Sequence, residues 1–142
     1  MTTRREHIID AVKTALAGTA SVGTRIYRSR TTAITRENSP CLLIEATSET
    51  AEQKASLAAL DFTLEVTISI ITRGDVPDEL ADPIDESLHA RLVSDVTLGG
   101  YAMDIVRSGT SWEKFDADQA GGVSTCTYSI RYRTAINDLT TA

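Results

Sequence analysis

Two histidines, two cysteines, a run of acidic pairs and a knot of arginines are the residues of this chain that could do chemistry. His7 and His89 both fall on helical patterns, and neither has a second ligand-type side chain at metal-binding spacing. Both read as solvated or helix-packing imidazoles. Asp116-x-Asp118-x-x-Gly121 matches the opening of a calcium loop, but its fifth position is Ala120 and its twelfth Thr127, where a chelating oxygen and a bidentate glutamate are needed. It reads as an acidic hairpin tip. Asp82, Asp85 and Glu86 resemble paired carboxylates, yet on an acidic amphipathic helix they form a solvated face. No Gly-x-Gly-x-x-Gly, Walker, Gly-x-Ser-x-Gly or His-Glu-x-x-His motif occurs. Cys41 and Cys126 each lie inside an extended apolar pattern, which predicts two buried free thiols in a reducing cytoplasm. The residues therefore predict no catalysis, no cofactor and no metal. A small-molecule enzyme would need a polar pocket around His89 or Asp104, which nothing in the sequence announces.

Arg25, Arg28, Arg30 and Arg36 gather within one short segment, with Tyr27 the sole aromatic among them. Such a strip can grip phosphates, but only 5% of the chain is aromatic and the net charge is −6, with a pI near 4.8. That balance disfavours nucleic acid and anionic membranes. The strip reads instead as a charged subunit edge facing acidic groups of a neighbour. A length of 142 residues fits a single domain, 1–142, with an ordered core over about 3–135. The N-terminal apolar stretch is interrupted by Asp10 and Lys13, so it is no secretion signal, and Cys41–Ile44 is far too short to span a bilayer.

The elements that must position these residues follow from periodicity. Thr3 and Glu6 form a capping-box signature, and Ile8, Ile9, Val12, Ala15 and Leu16 share a face, predicting a helix over 4–17 closed by Gly18. Arg25–Arg28 reads as a short strand, and Pro40 opens another over 41–46. Thr47 to Ser56 is small and polar and reads as a mobile loop. Leu60, Phe62, Leu64, Val66, Ile68 and Ile70 alternate with polar residues, so 57–72 is a long half-buried strand that would outreach a compact core, part of it projecting or meeting another subunit. Leu80, Ile84, Leu88 and Leu92 predict a second helix starting somewhere from 77 to 82. Pro83 fits it only within about a turn of the start. Extended runs over 102–114 and 122–135 flank a turn-rich link, and the tail from Asn137 reads as frayed. The order lacks strand-helix alternation, so the fold class is α+β: a mixed, mostly antiparallel sheet with two amphipathic helices on one face.

Assembly is the function these features motivate. Arginines in 25–36 and carboxylates in 75–86 suit a head-to-tail interface, which closes into a ring when the rotation permits. The candidate interface residues are Arg25, Arg28, Arg30, Arg36, Asp78, Glu79, Asp82, Asp116, Asp118, Arg131 and Arg133.

The N-terminal helix, Arg25-Ile26-Tyr27, Pro40-Cys41-Leu42-Leu43-Ile44, the long alternating strand, Val76-Pro77-Asp78-Glu79-Leu80 and the closing Tyr128-x-x-x-Tyr132 strand together resemble the lambda-type tail terminators, minor tail proteins of long-tailed bacteriophages. The likeness spans about 3–135, and the 25–36 and 47–56 segments depart from it. The resemblance implies a structural protein of phage or prophage: a hexameric ring on the last ring of the tail tube that stops polymerisation and offers the head-joining surface. Its partners would be copies of itself, the tail tube protein and a head-completion or neck protein. Its place would be the host cytoplasm and then the virion tail. Neck and head-completion proteins share the plan and are the alternative, with a nucleic-acid-binding module using the 25–36 arginines behind them. On the terminator reading the chain is monomeric or weakly associated when dilute, and the 47–56 loop orders on the tube.

Overall fold

The computed structural model describes residues 2–28, 39–54, 58–115 and 120–141. The fold is α+β. Helix α1 (Arg4–Leu16) is followed by strands β1 (Ile26–Arg28), β2 (Cys41–Lys54) and β3 (Ala59–Arg73), helix α2 (Pro77–Leu92), and strands β4 (Asp104–Phe115) and β5 (Gly121–Ala135). One five-stranded sheet runs in the order β1-β2-β3-β5-β4; β1 is parallel to β2 and every other pairing is antiparallel.

The alternation seen in β3 becomes the core. Phe62, Leu64, Val66 and Ile68 stand beside Tyr132, Ile130, Tyr128 and Cys126 of β5, all buried on the face that the helices cover. Ile8, Ile9, Val12 and Leu16 of α1 and Ala81, Ile84, Leu88 and Leu92 of α2 complete it. The hydroxyl of Thr3 accepts from the Glu6 N–H at 3.3 Å, as the capping pattern predicts. Gly18 takes φ +87°, and beside it Arg91 of α2 donates to the Ala17 carbonyl at 3.1 Å, a cation at the end of α1 where the helix dipole favours one.

Four expectations are corrected. Thr47–Lys54 is not a loop: it continues β2 and pairs with β3 down to Lys54↔Ala59, after a bulge between Ala46 and Ser48. Backbone pairing, not side-chain pattern, makes it a strand, because there both faces are exposed. The remainder of the expected loop, residues 55–56, lies outside the described residues. Pro83 sits well past the first turn of α2, which starts at Pro77; its ring faces solvent, and the helix continues without that one donor. Strand β5 starts one residue earlier than expected, at Gly121, where a side chain would strike Thr72 and Phe115. The tail is not frayed over 137–141: Ala135 N–H donates to Thr141 O at 2.8 Å and Arg4 N–H to Leu139 O at 2.9 Å, pinning the tail to the start of α1.

Candidate assembly surfaces

The seam between α2 and the β4–β5 edge brings together Asp85, His89, Arg107, Cys126 and Tyr128. Arg107 grips both oxygens of Asp85 at 2.7 and 2.8 Å, and its guanidinium lies 3.3 Å from the sulfur of Cys126. His89 Nδ1 and the Tyr128 hydroxyl are 2.8 Å apart. Burial pushes the Cys126 thiol and the Tyr128 phenol each up to about 12, so the sulfur stays a protonated, weak nucleophile. Burial acts on Asp85 in the same upward sense, but the hydrogen bonds and charge of Arg107 outweigh it and hold the carboxyl below its usual range. This arrangement joins helix to sheet and supplies neither an activated nucleophile nor an open metal position. Among the described residues no three His, Cys, Asp or Glu side chains could hold a metal ion. Both cysteines are free and buried, as the sequence predicts. His7 stacks on Tyr101 at 4.6 Å, and Asp104 pairs with Arg131 on the opposite sheet face.

The candidate interface residues divide into three groups. Arg25 braces its own chain, donating to the carbonyls of Pro40 at 2.8 Å and Ser21 at 2.7 Å. Arg28 shares the Ile26 face and reaches the helix layer, where it takes both oxygens of Glu6 at 2.7 and 2.8 Å and lies 3.7 Å from Asp10. Glu6 is thereby held below the usual carboxylate range, chiefly by the Arg28 hydrogen bonds. Arg131 meets Asp104 at 2.8 Å and Arg133 meets Asp61 at 2.6 Å. In contrast, Asp78, Glu79 and Asp82 project from α2 into solvent and make no side-chain hydrogen bond or ion pair among the described residues. Arg30, Arg36, Asp116 and Asp118 lie outside the described residues.

From Ser69 to Asp61 of β3 the sheet face opposite the helices is polar. Register sets Ser69 beside Thr125, Thr67 beside Thr127, Glu65 beside Ser129, Thr63 beside Arg131 and Asp61 beside Arg133. The hydroxyls of Ser69 and Thr125 are 3.3 Å apart, and Ser129 donates to Glu65 at 2.6 Å. No described helix packs on this face. β3 has 15 residues and α2 has 16, so at about 3.3 and 1.5 Å per residue the strand spans roughly twice the helix length. Each long strand is therefore longer than either helix.

Trp112 is the residue that sequence reasoning missed. It is the chain's only tryptophan, sits on the edge strand β4 and is 67% exposed. A lone indole within the polar run Ser108–Lys114 was the available signal. Its phase was hidden by the bulge between Arg107 and Gly109, which turns even-numbered β4 residues toward the helix side. There it borders a hollow of about 90 Å³ shared with Pro77, Asp78 and Lys114.

No protein-family model matches the chain, and no curated protein matches it. Among the described residues no helix is long and apolar enough to cross a membrane.

Proposed function

We propose that this chain is a structural subunit of a long-tailed phage or prophage tail, a terminator that closes into a ring, of six copies in the resembling family, on the finished tail tube. It works by shape and charge and makes or breaks no covalent bond. Its partners on this reading are its own copies, the tube protein below and a neck protein above, within the virion tail.

The observation that carries the reading is the sheet: strands of 14 and 15 residues outrun the helices and present an uncovered face of serine, threonine and paired charges. Such a face is common to antiparallel sheets, and a ring subunit can use it because long, polar, self-satisfied strands meet neighbours without aggregating. The unpaired carboxylates of α2 add a face of one sign for a partner of the other.

Electron microscopy of tails assembled without this protein tests the proposal. Overlong tubes without heads are expected. Tails of normal length that fail to join heads would assign it to the neck instead, and normal phage would overturn both.

A further inference from the structure

The two open edges of the sheet are interrupted in the same way and at the same level. Among the described strands β4 pairs only with β5, and past Ile44, where β1 stops, β2 pairs only with β3. Each edge carries one inserted residue that has no partner across the ladder. On β2 it is Thr47, between Ala46 opposite Val66 and Ser48 opposite Glu65. On β4 it is Ser108, between Arg107 opposite Tyr128 and Gly109 opposite Thr127. Val66 and Tyr128 are themselves partners, so the two insertions flank a single row of the sheet. Both inserted residues carry a hydroxyl that reaches the inner strand: Thr47 donates to the Glu65 carbonyl at 3.3 Å and Ser108 to the Thr127 carbonyl at 3.2 Å.

Resting on the ring reading, we infer that Thr47 and Ser108 close the two edges of the sheet to strand addition, so that copies meet through side chains and do not continue one another's sheet. A strand edge offers a row of unpaired N–H and C=O groups to any extended chain, and a ring holds the edges of neighbouring copies at high local concentration. An inserted residue breaks the even spacing of that row and adds twist, so a straight strand laid along it loses register at the insertion. β4 is thereby divided into 104–107 and 109–115, and the free length of β2 into 45–46 and 48–54. The two hydroxyl bonds hold the insertions against their neighbouring strands. Charge adds to the block, because Glu45 and Glu52 on the β2 edge and Glu113 and Lys114 on the β4 edge are all exposed.

Deleting the inserted residues tests this without moving any other side chain to the wrong face: Ala46 and Ser48 keep Val66 and Glu65, and Arg107 and Gly109 keep Tyr128 and Thr127. The full chain lacking Thr47 and Ser108 is compared with the wild type and with the double variant Thr47→Ala, Ser108→Ala, which retains both insertions. Light scattering and thioflavin T fluorescence are followed over protein concentration. The deletion should give a mass that keeps rising past the wild-type limit and should bind the dye, while the alanine variant assembles as the wild type does. A deletion with wild-type circular dichroism and wild-type assembly overturns the inference. Where the deletion does not fold, hydrogen exchange of the wild type decides. The outward amides of 45–54 and 104–115 should exchange as fast in the assembled chain as in the dilute one; slowing there on assembly overturns the closed edges and leaves the ring reading standing. A wild-type chain that stays monomeric at every concentration overturns the ring reading, and growth of the deletion then still supports the closed edges.

Discussion

The guanidinium of Arg107 holds both carboxylate oxygens of Asp85, one from each terminal nitrogen, and the nitrogen that meets Oδ2 also donates to the hydroxyl of Thr110 at 2.7 Å, across the β4 bulge. β4 is an edge strand hydrogen-bonded only to β5 among the described strands, so this clamp is its direct tie to α2. Both partners are about a quarter exposed, which places the pair between a surface and a buried ion pair. Asp85→Ala and Arg107→Ala should each cost about 1–3 kcal/mol, with a double-mutant cycle returning a coupling of similar sign, measured by urea unfolding.

The same pair fixes an acid response. Asp85 ionises below the range of a free aspartate, so its stabilisation is complete above the unfolded value of about 3.9 and fades as pH falls through the lower folded value. Asp85→Asn should therefore lose stability at neutral pH and show a shallower further loss below about pH 4 than the wild type. Unfolding free energies along a pH series check this; parallel curves would contradict it.

Gly121 marks a close approach. A Cβ there would lie 2.5 Å from the backbone oxygen of Thr72 and 2.6 Å from the Phe115 ring. Since a backbone atom cannot rotate away, Gly121→Ala should destabilise by about 1–3 kcal/mol. Thermal melts compare it with Gly23→Ala, where a Cβ meets nothing within 4 Å and only the positive φ is strained.

Pro83 should be a removable fault. It deprives α2 of one internal hydrogen bond while facing solvent, so Pro83→Ala should raise stability by up to about 3 kcal/mol, read as a higher melting midpoint.

Cys126 and Cys41 should resist alkylation in the folded chain at neutral pH, because both are buried and the Cys126 thiol stays protonated. A thiol-counting reagent should find two free groups after denaturation and react slowly before it.

The sequence was legible where one face is buried and the other wet. β3 was plain because its apolar residues keep period two from Phe62 to Ile70, and α1 because a cap, an apolar stripe and a glycine agree. The second half of β2 was not, because the bulge after Ala46 flips its phase and neither face of Glu49–Gln53 is buried enough to demand apolar residues. The tail was illegible for a related reason: backbone groups hold it, and they leave no trace in composition. Of the interface residues, Asp78, Glu79 and Asp82 stand free as their helix position implied. The partners of Arg28, Arg131 and Arg133 lie 22, 27 and 72 positions away, so only the fold could show them.

Sedimentation velocity of the full chain, from dilute to concentrated and across salt, tests the central claim most directly. Monomer giving way to one larger closed species, without an endless ladder, is the result predicted for a head-to-tail ring of acidic subunits. A compact dimer that persists at every concentration would contradict it.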